Sequence, residues 1–207
     1  EAIDPVRGIT NRSSGKMGFA IARAAREAGA DVTLVAGPVS LPTPRGVQRV
    51  DVRSAREMQA AVMAHIDDAQ VFVATAAVAD WRPDHAADQK IKKDGSGQTP
   101  ALSFTENPDI LAGVAQLDRA RSGALFCVGF AAESHDLLNH AKAKRERKAV
   151  PLLVGNIGPA TFGQDDNALL LVDAKGAKEL PHADKLTLAR LLVQDIARRL
   201  TTGTKDC

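Results

Sequence analysis

Short, uninterrupted apolar runs alternate along this chain with segments of helical periodicity, and that alternation limits the folds open to it. Val32 to Ala36, Val47 to Val52, Gln70 to Thr75, Ala124 to Gly129 and Pro151 to Gly155 read as short buried strands. Ala101 to Glu106 alternates and reads as a further strand. Between these lie helical segments. From Ser13 to Gly29, Met17, Ile21, Ala24, Ala25 and Ala28 recur at helical spacing, and Gly29 is placed to end the helix. Ser54 with Glu57 three residues on is a capping box opening a helix to about Ile66. Asn107-Pro108 reads as a helix cap and first position, and Asp136 to Lys148 as another helix. Strands without polar alternation are buried on both faces, so the pattern predicts an α/β chain with a mostly parallel sheet and helices on both faces. Ala168 to Val172 and Lys178 to Leu180 read as a C-terminal hairpin, followed by a helix from Asp184 to about Leu200. No repeat or composition break divides residues 1–207, and their number suits a single domain.

Ligands of such sheets bind beyond the carboxyl ends of the strands, which directs attention to the loops after Thr75, Gly129 and Gly155. Composition narrows the ligand. The formal charge is +2, and six Phe, one Trp and no Tyr leave few stacking platforms, so a polynucleotide partner is not expected. Cys127 in an apolar run and Cys207 form neither a disulfide framework nor a metal motif, which fits a reducing, cytoplasmic setting. No stretch is long and apolar enough to suggest a membrane span.

Thr10-Asn11-Arg12-Ser13-Ser14-Gly15-Lys16-Met17-Gly18 leads into the first helix and offers an anion small residues, backbone N–H groups and a positive dipole end. It is neither a Walker loop nor a GxGxxG fingerprint, and an ordinary helix start with a Ser cap explains the spacing equally well. The irregular stretch Ala76 to Pro100 holds Asp80 and the basic run Lys90-Ile91-Lys92-Lys93 before Asp94-Gly95-Ser96-Gly97, the pattern of either a closing lid or a solvated loop. Lys144 and Lys148 share one helix face, and can hold phosphates or simply complement a helix C-terminus. Asp80 follows a strand end and can meet a magnesium ion through water. The histidines (65, 85, 135, 140 and 182) show no zinc spacing, and no Ser or Cys nucleophile motif is present.

Together, Asp4-Pro5-Val6-Arg7, Ile9-Thr10-Asn11 with Ser13 to Gly18, Gly37-Pro38-Val39 with Leu41-Pro42, Ala76 to Asp80, Lys90 to Lys93, Asn107 to Ile110, Gly129 to Glu133 and Gly155-Asn156 resemble, in order, the bacterial CTP-dependent phosphopantothenoylcysteine synthetases. The resemblance covers roughly residues 4 to 200 and implies a Rossmann-like fold whose first strand, usually placed before the Asp-Pro-Val-Arg segment, is absent here. It implies a ligase that joins 4'-phosphopantothenate to L-cysteine through an acyl-cytidylate, releasing pyrophosphate and then CMP. Asn11 and Lys90 match the family's catalytic positions. Asp80, Lys90, Pro108, Asp109, Ile110, Leu111, Phe130, Lys144 and Lys148 match its nucleotide contacts, and Arg7, Asn11, Ser14, Gly15 and Ala76 its substrate pocket. Mg2+ held mainly by the CTP phosphates, with Asp80 as a candidate ligand, no flavin in this domain, a homodimer, and a fused or separate flavin-dependent decarboxylase complete the implication. Two other readings stay open on the residues themselves. One is a nicotinamide-dependent reductase, although Ala36-Gly37-Pro38 stands where an acidic ribose-binding residue belongs. The other is a non-catalytic nucleotide-binding module.

Overall fold

The computed structural model describes residues 1–93, 101–133, 136–157 and 164–203. The lid stretch Asp94-Gly95-Ser96-Gly97, His135 and Cys207 lie outside the described residues. The main sheet has five strands. β5 (Val71–Ala74), β8 (Phe126–Glu133) and β9 (Leu152–Ile157) run parallel. β10 (Asp166–Asp173) and β11 (Gly176–Asp184) continue it as an antiparallel hairpin, longer at both ends than the sequence pattern suggests. The unbroken apolar runs have the cause inferred for them. In β9, Leu152 and Val154 join one buried cluster with Leu188 and Leu192, while Leu153 joins the opposite cluster with Leu111 and Val150. Both faces are covered, by α1 (Lys16–Glu27) and α6 (Lys185–Gly203) on one side and by α2 (Ala55–His65), α3 (Ile110–Ala115), the short α4 (Asp118–Arg121) and α5 (Leu137–Lys148) on the other.

The parallel strands fall into two pieces. β3 (Thr33–Ala36) pairs with β4 (Gln48–Asp51), and β5 begins the main sheet, with no hydrogen-bonded pairing between β3 and β5 among the described residues. The interruption lies in the middle of the parallel order, and α1 helps to bridge it. Its Ile21 and Ala24 pack with Val128 of the main sheet, and Val35 of β3 packs on the same cluster as Phe72 and Ala74 of β5.

Two antiparallel ribbons flank the site: β1 (Ala2–Asp4) with β2 (Arg7–Gly8), and β6 (Trp81–Pro83) with β7 (Phe104–Glu106). The stretch after Ala76 is therefore only partly irregular, because Trp81 to Pro83 finds a partner in the second half of the predicted 101–106 strand. The cap of α2 is as expected, with Ser54 Oγ accepting from the Glu57 N–H at 3.2 Å. The reciprocal bond goes to the N–H of Arg53, at 2.9 Å from Glu57 Oε2. Two starts differ from expectation. α1 begins three residues later than Ser13 and is capped by Gly15 in a left-handed conformation, φ 76°, with no side-chain cap. α3 is capped by Asp109, whose carboxylate accepts from the Ala112 N–H at 3.0 Å, and not by Asn107. Asn107 is engaged elsewhere. Its Nδ2 donates to the Ala79 carbonyl at 2.9 Å and its N–H to the Asp80 carbonyl at 2.8 Å, tying the loop after β5 to the start of α3.

Candidate functional site

A cavity of about 500 Å3 opens at the carboxyl ends of β3, β5, β8 and β9, a size that suits a small organic ligand. One wall is apolar, formed by Val35, Ala36, Val52, Ala55 and Met58, and lies at the interruption between β3 and β5. The other is polar. Asn11, Ser14, Gly15 and Lys16 reach it from the segment entering α1, Ala76 and Asp80 from the loop after β5, Phe130 from β8, Lys144 from α5 and Asn156 from β9. The strand ends singled out in the sequence do converge, although β8 continues past Gly129 to Glu133, so Phe130 belongs to a strand rather than a loop.

Local geometry explains why these groups point inward. Gly15 turns the chain into α1, and a Cβ on Gly18 would meet Thr75 Oγ1 at 2.9 Å, so only glycine lets the first turn lie this close to the end of β5. The first-turn N–H groups of a helix lack intrahelical acceptors, which makes this end attractive to an anion. Asn11 is exposed on the cavity wall and oriented by one bond, Nδ2 donating to the Ala77 carbonyl at 2.6 Å.

Other residues implied by the resemblance stand outside this wall. Arg7, Lys90, Pro108, Asp109, Ile110, Leu111 and Lys148 do not line the cavity. Ile110 and Leu111 are core residues, each 9% exposed. Asp109 caps α3 and accepts a hydrogen bond from Lys148, so the two lysines that share a face of α5 divide: Lys144 meets the cavity and Lys148 anchors the helix start. Lys90 is exposed and away from Asn11's cavity, but its neighbour is held firmly. Asp4, with its side chain fully buried, accepts from the N–H groups of Val6 and Arg7 at 2.9 Å each, from Arg7 Nε at 2.9 Å and from the Ile91 N–H at 3.2 Å. Arg7 Nη2 donates in turn to the Ile91 carbonyl at 2.7 Å. The Arg7 guanidinium holds the Asp4 carboxyl well below the usual carboxylate range; burial opposes this, and the backbone N–H bonds reinforce it. Arg7 is thus spent on a clasp, which fastens the root of the lysine run to the ribbon four residues before Asn11.

Among the described residues no three His, Cys, Asp or Glu side chains form a metal-binding group, and Asp80 stands as a single exposed carboxylate on the wall. Sequence reasoning missed Lys185 and Asn167, which also line the cavity from the start of α6 and from β10. The signal was faint: a lysine heading an apolar helix and an asparagine heading a strand. Among the described residues no helix is long and apolar enough to cross a membrane.

Relatives share this architecture. The C-terminal domain family of DNA/pantothenate metabolism flavoproteins matches residues 1–200. The coenzyme A biosynthesis bifunctional protein CoaBC of Vibrio cholerae is 48% identical over 203 residues, covering 97% of this chain and 50% of that protein. The CoaBC of Escherichia coli K12 is 48% identical over 203 residues, covering 96% of this chain and 49% of that protein. The chain thus spans about half the length of the curated relatives it matches. The crystal structure of a CoaBC C-terminal domain superposes with a TM-score of 0.81 at 33% identity, covering 98% of this chain and 91% of that one. By these matches the chain belongs to the family of DNA/pantothenate metabolism flavoprotein C-terminal domains.

Proposed function

We propose that this chain is the ligase portion of a coenzyme A biosynthesis protein, joining 4'-phosphopantothenate to L-cysteine at the expense of CTP. The observation that carries the reading is the polar wall on which Asn11, Lys144 and the first turn of α1 meet at the strand ends, a surface rich in donors and suited to a phosphorylated acid and a nucleotide. In the first step a carboxylate oxygen attacks the α-phosphorus of CTP, a P–O bond forms and pyrophosphate leaves. In the second the neutral cysteine amine attacks the acyl carbon, a C–N bond forms, CMP leaves and the amine loses a proton. A bare carboxylate is a poor electrophile, and the cytidylyl group converts its oxygen into a leaving group. Both reactants are anionic, so binding and catalysis are mainly a matter of compensating charge.

Asn11, whose Nδ2 retains a second N–H beyond its bond to Ala77, donates to the activated carboxyl and stabilises charge developing there. Lys144 meets nucleotide phosphate from α5, and the β8 backbone beside Phe130 reads the cytosine. Lys90, beside the Ile91 held by the Asp4–Arg7 clasp, supplies a further ammonium to the bound nucleotide. Magnesium, carried on the phosphates near Asp80, supplies added neutralisation of the triphosphate. In this reading the protein works in the cytoplasm as a homodimer, with a flavin-dependent phosphopantothenoylcysteine decarboxylase fused or separate as its partner.

Pyrophosphate release tests the reading. CTP, magnesium and phosphopantothenate should yield it before cysteine is added, with ATP as the comparison nucleotide. No release, with or without cysteine, would refute the ligase assignment.

A further inference from the structure

The segment Gly37-Pro38-Val39 with Leu41-Pro42 stands out in the sequence, yet the reaction above gives it no task. It leaves the carboxyl end of β3, and Gly37, Pro38 and Val39 line the cavity beside the entry to α1. Belonging to no strand or helix, this loop needs partners for its carbonyls from elsewhere in the chain. Arg49 of β4 supplies them. Its Nη1 donates to the Leu41 carbonyl at 2.7 Å and its Nη2 to the Val39 carbonyl at 3.3 Å, while its Nε donates to Asp51 Oδ1 at 2.7 Å. The Arg49 side chain is only 18% exposed, and Arg49 itself is not among the residues that line the cavity.

The same guanidinium also reaches the helix. Its central carbon lies over the Phe19 ring, 5.2 Å from the centroid. Phe19, in the first turn of α1, is buried and lines the cavity. The loop touches that turn directly as well: Val39 Cγ1 lies 3.1 Å, and Leu41 Cδ1 3.5 Å, from the place a Cβ on Gly15 would take. One side chain thus ties together β4, the loop after β3 and the first turn of α1, and so fixes how close the loop stands to Ser14 and Gly15. Arginine suits this task by shape. A lysine there would end in one nitrogen, with no plane to lie on the ring and no fork to divide between Asp51 and two carbonyls.

We propose that Arg49 is a positioning residue for the acid substrate: by holding the 37–41 loop against the first turn of α1, it sets the shape of the pocket that takes 4'-phosphopantothenate without touching that substrate. The proposal rests on the ligase reading, in which the acid lies beside Ser14 and Gly15 and the nucleotide beside Asp80, Phe130 and Lys144. The loop packs on Gly15, so its release is felt at the acid rather than at the nucleotide.

Pyrophosphate release by the full chain, with KM measured separately for 4'-phosphopantothenate and for CTP, tests it on wild type, Arg49→Met, Arg49→Lys and Asp51→Ala. Both Arg49 variants should raise KM for the acid by about tenfold or more, with KM for CTP within about twofold and kcat within about threefold of wild type. Asp51, whose side chain is 69% exposed, orients the guanidinium without meeting the loop, so Asp51→Ala should raise the same KM by about threefold. This milder variant decides the matter if the Arg49 variants fail to fold, which circular dichroism monitors. A general loosening of the fold would raise both KM values together, and a plain attraction of anions by the Arg49 charge would be restored by lysine. Either pattern, or folded variants with the wild-type KM for the acid, overturns the proposal. A wild-type chain that releases no pyrophosphate from CTP is a separate result: it refutes the ligase reading, and the positioning role falls with it.

Discussion

Gly129 and Gly113 lie sixteen residues apart, and the structure assigns opposite signs to the same substitution at each. Gly129 sits in β8, paired on one side with Ala74 and on the other with Leu153. A Cβ there would stand 2.7 Å from Leu111 Cδ2 and 2.8 Å from Leu153 Cδ1. Comfortable carbon contacts begin near ~3.5 Å, so each methyl must withdraw by roughly 0.7 Å. Neither has easy room, since Leu111 is 9% exposed and Leu153 fully buried, and they crowd the new atom together. Overpacking of this kind costs about 1–3 kcal/mol. For a chain of this size each kcal/mol lowers Tm by roughly 2–4 °C, so Gly129→Ala should melt several degrees early. The displacement also reaches the start of α3, because Leu111 is its second residue and its Asp109 cap is the acceptor for Lys148. Gly113, inside α3, has nothing within 4 Å of its Cβ position, and Gly113→Ala should stabilise by about 0.5–1 kcal/mol through helix propensity. Differential scanning calorimetry of both variants decides. A Gly129→Ala chain that melts with wild type, or a Gly113→Ala chain that melts well below it, refutes the packing argument.

Three further outcomes are expected. Asn11→Ala and Lys90→Ala should each reduce ligation by two orders of magnitude or more, estimated as roughly 10²–10³ from the loss of one donor to developing charge, while both groups, being exposed, leave the melting curve in place; normal turnover in steady-state assays by both would remove these residues from the mechanism. Asp4→Asn should loosen the clasp, seen as faster hydrogen exchange at the Ile91 amide. Because the folded pKa of Asp4 is depressed, its contribution is present above the ordinary value of 3.8 and is lost as pH falls below it, so the gap in Tm between wild type and Asp4→Asn should be full at pH 6 and shrink below pH 3.8; a gap independent of pH would contradict the ion-pair account. Burial pushes the Cys127 thiol up to about 11, so at pH 8 iodoacetamide should leave the Cys127 peptide unmodified in the folded chain and label it in urea, as read by mass spectrometry.

Where local chemistry decides the outcome, the sequence is a good guide: Ser54 with Glu57 caps α2, and the apolar runs of β5, β8 and β9 lie in a sheet covered on both faces. It misleads where two local candidates compete and a distant contact selects between them. Asn107 is as good a cap as Asp109 by composition, but its Oδ1 accepts from Arg82 Nη1 at 3.1 Å and the carbonyls of Ala79 and Asp80 hold its donors, leaving Asp109 to start α3. Trp81 to Pro83 looks irregular because a three-residue strand carries no period, and only pairing with Phe104 to Glu106 defines it. In the candidate site, Ser14 and Gly15 are legible at a helix start and Ala76 and Asp80 beyond a strand end, whereas Asn11, Phe130 and Lys144 are picked out by the family resemblance. Lys185 and Asn167 come from a hairpin and a terminal helix whose return to the cavity is a tertiary event without a local marker.

The same distinction bears on how Lys90 relates to Asn11. Motif order places both in one reaction, but the two are separated on the molecule, with Asn11 on the cavity wall and Lys90 exposed beyond it. What joins them is the ribbon. Asp4 and Arg7 bind Ile91 through both its backbone N–H and its carbonyl, Ala87 N–H donates to the Ile3 carbonyl at 2.9 Å, and four residues after Arg7 the chain reaches Asn11. On the reading proposed above, a lysine needed only when nucleotide is bound would benefit from such an anchor. Held rigidly in the cavity, its charge would be desolvated before the anion arrives and would obstruct entry of a nucleotide. Left on an unanchored loop, it would give up conformational entropy at each turnover. In that same reading, fixing the residue beside Lys90 while leaving its side chain in water would limit the search to the few torsions between the clasp and the ammonium.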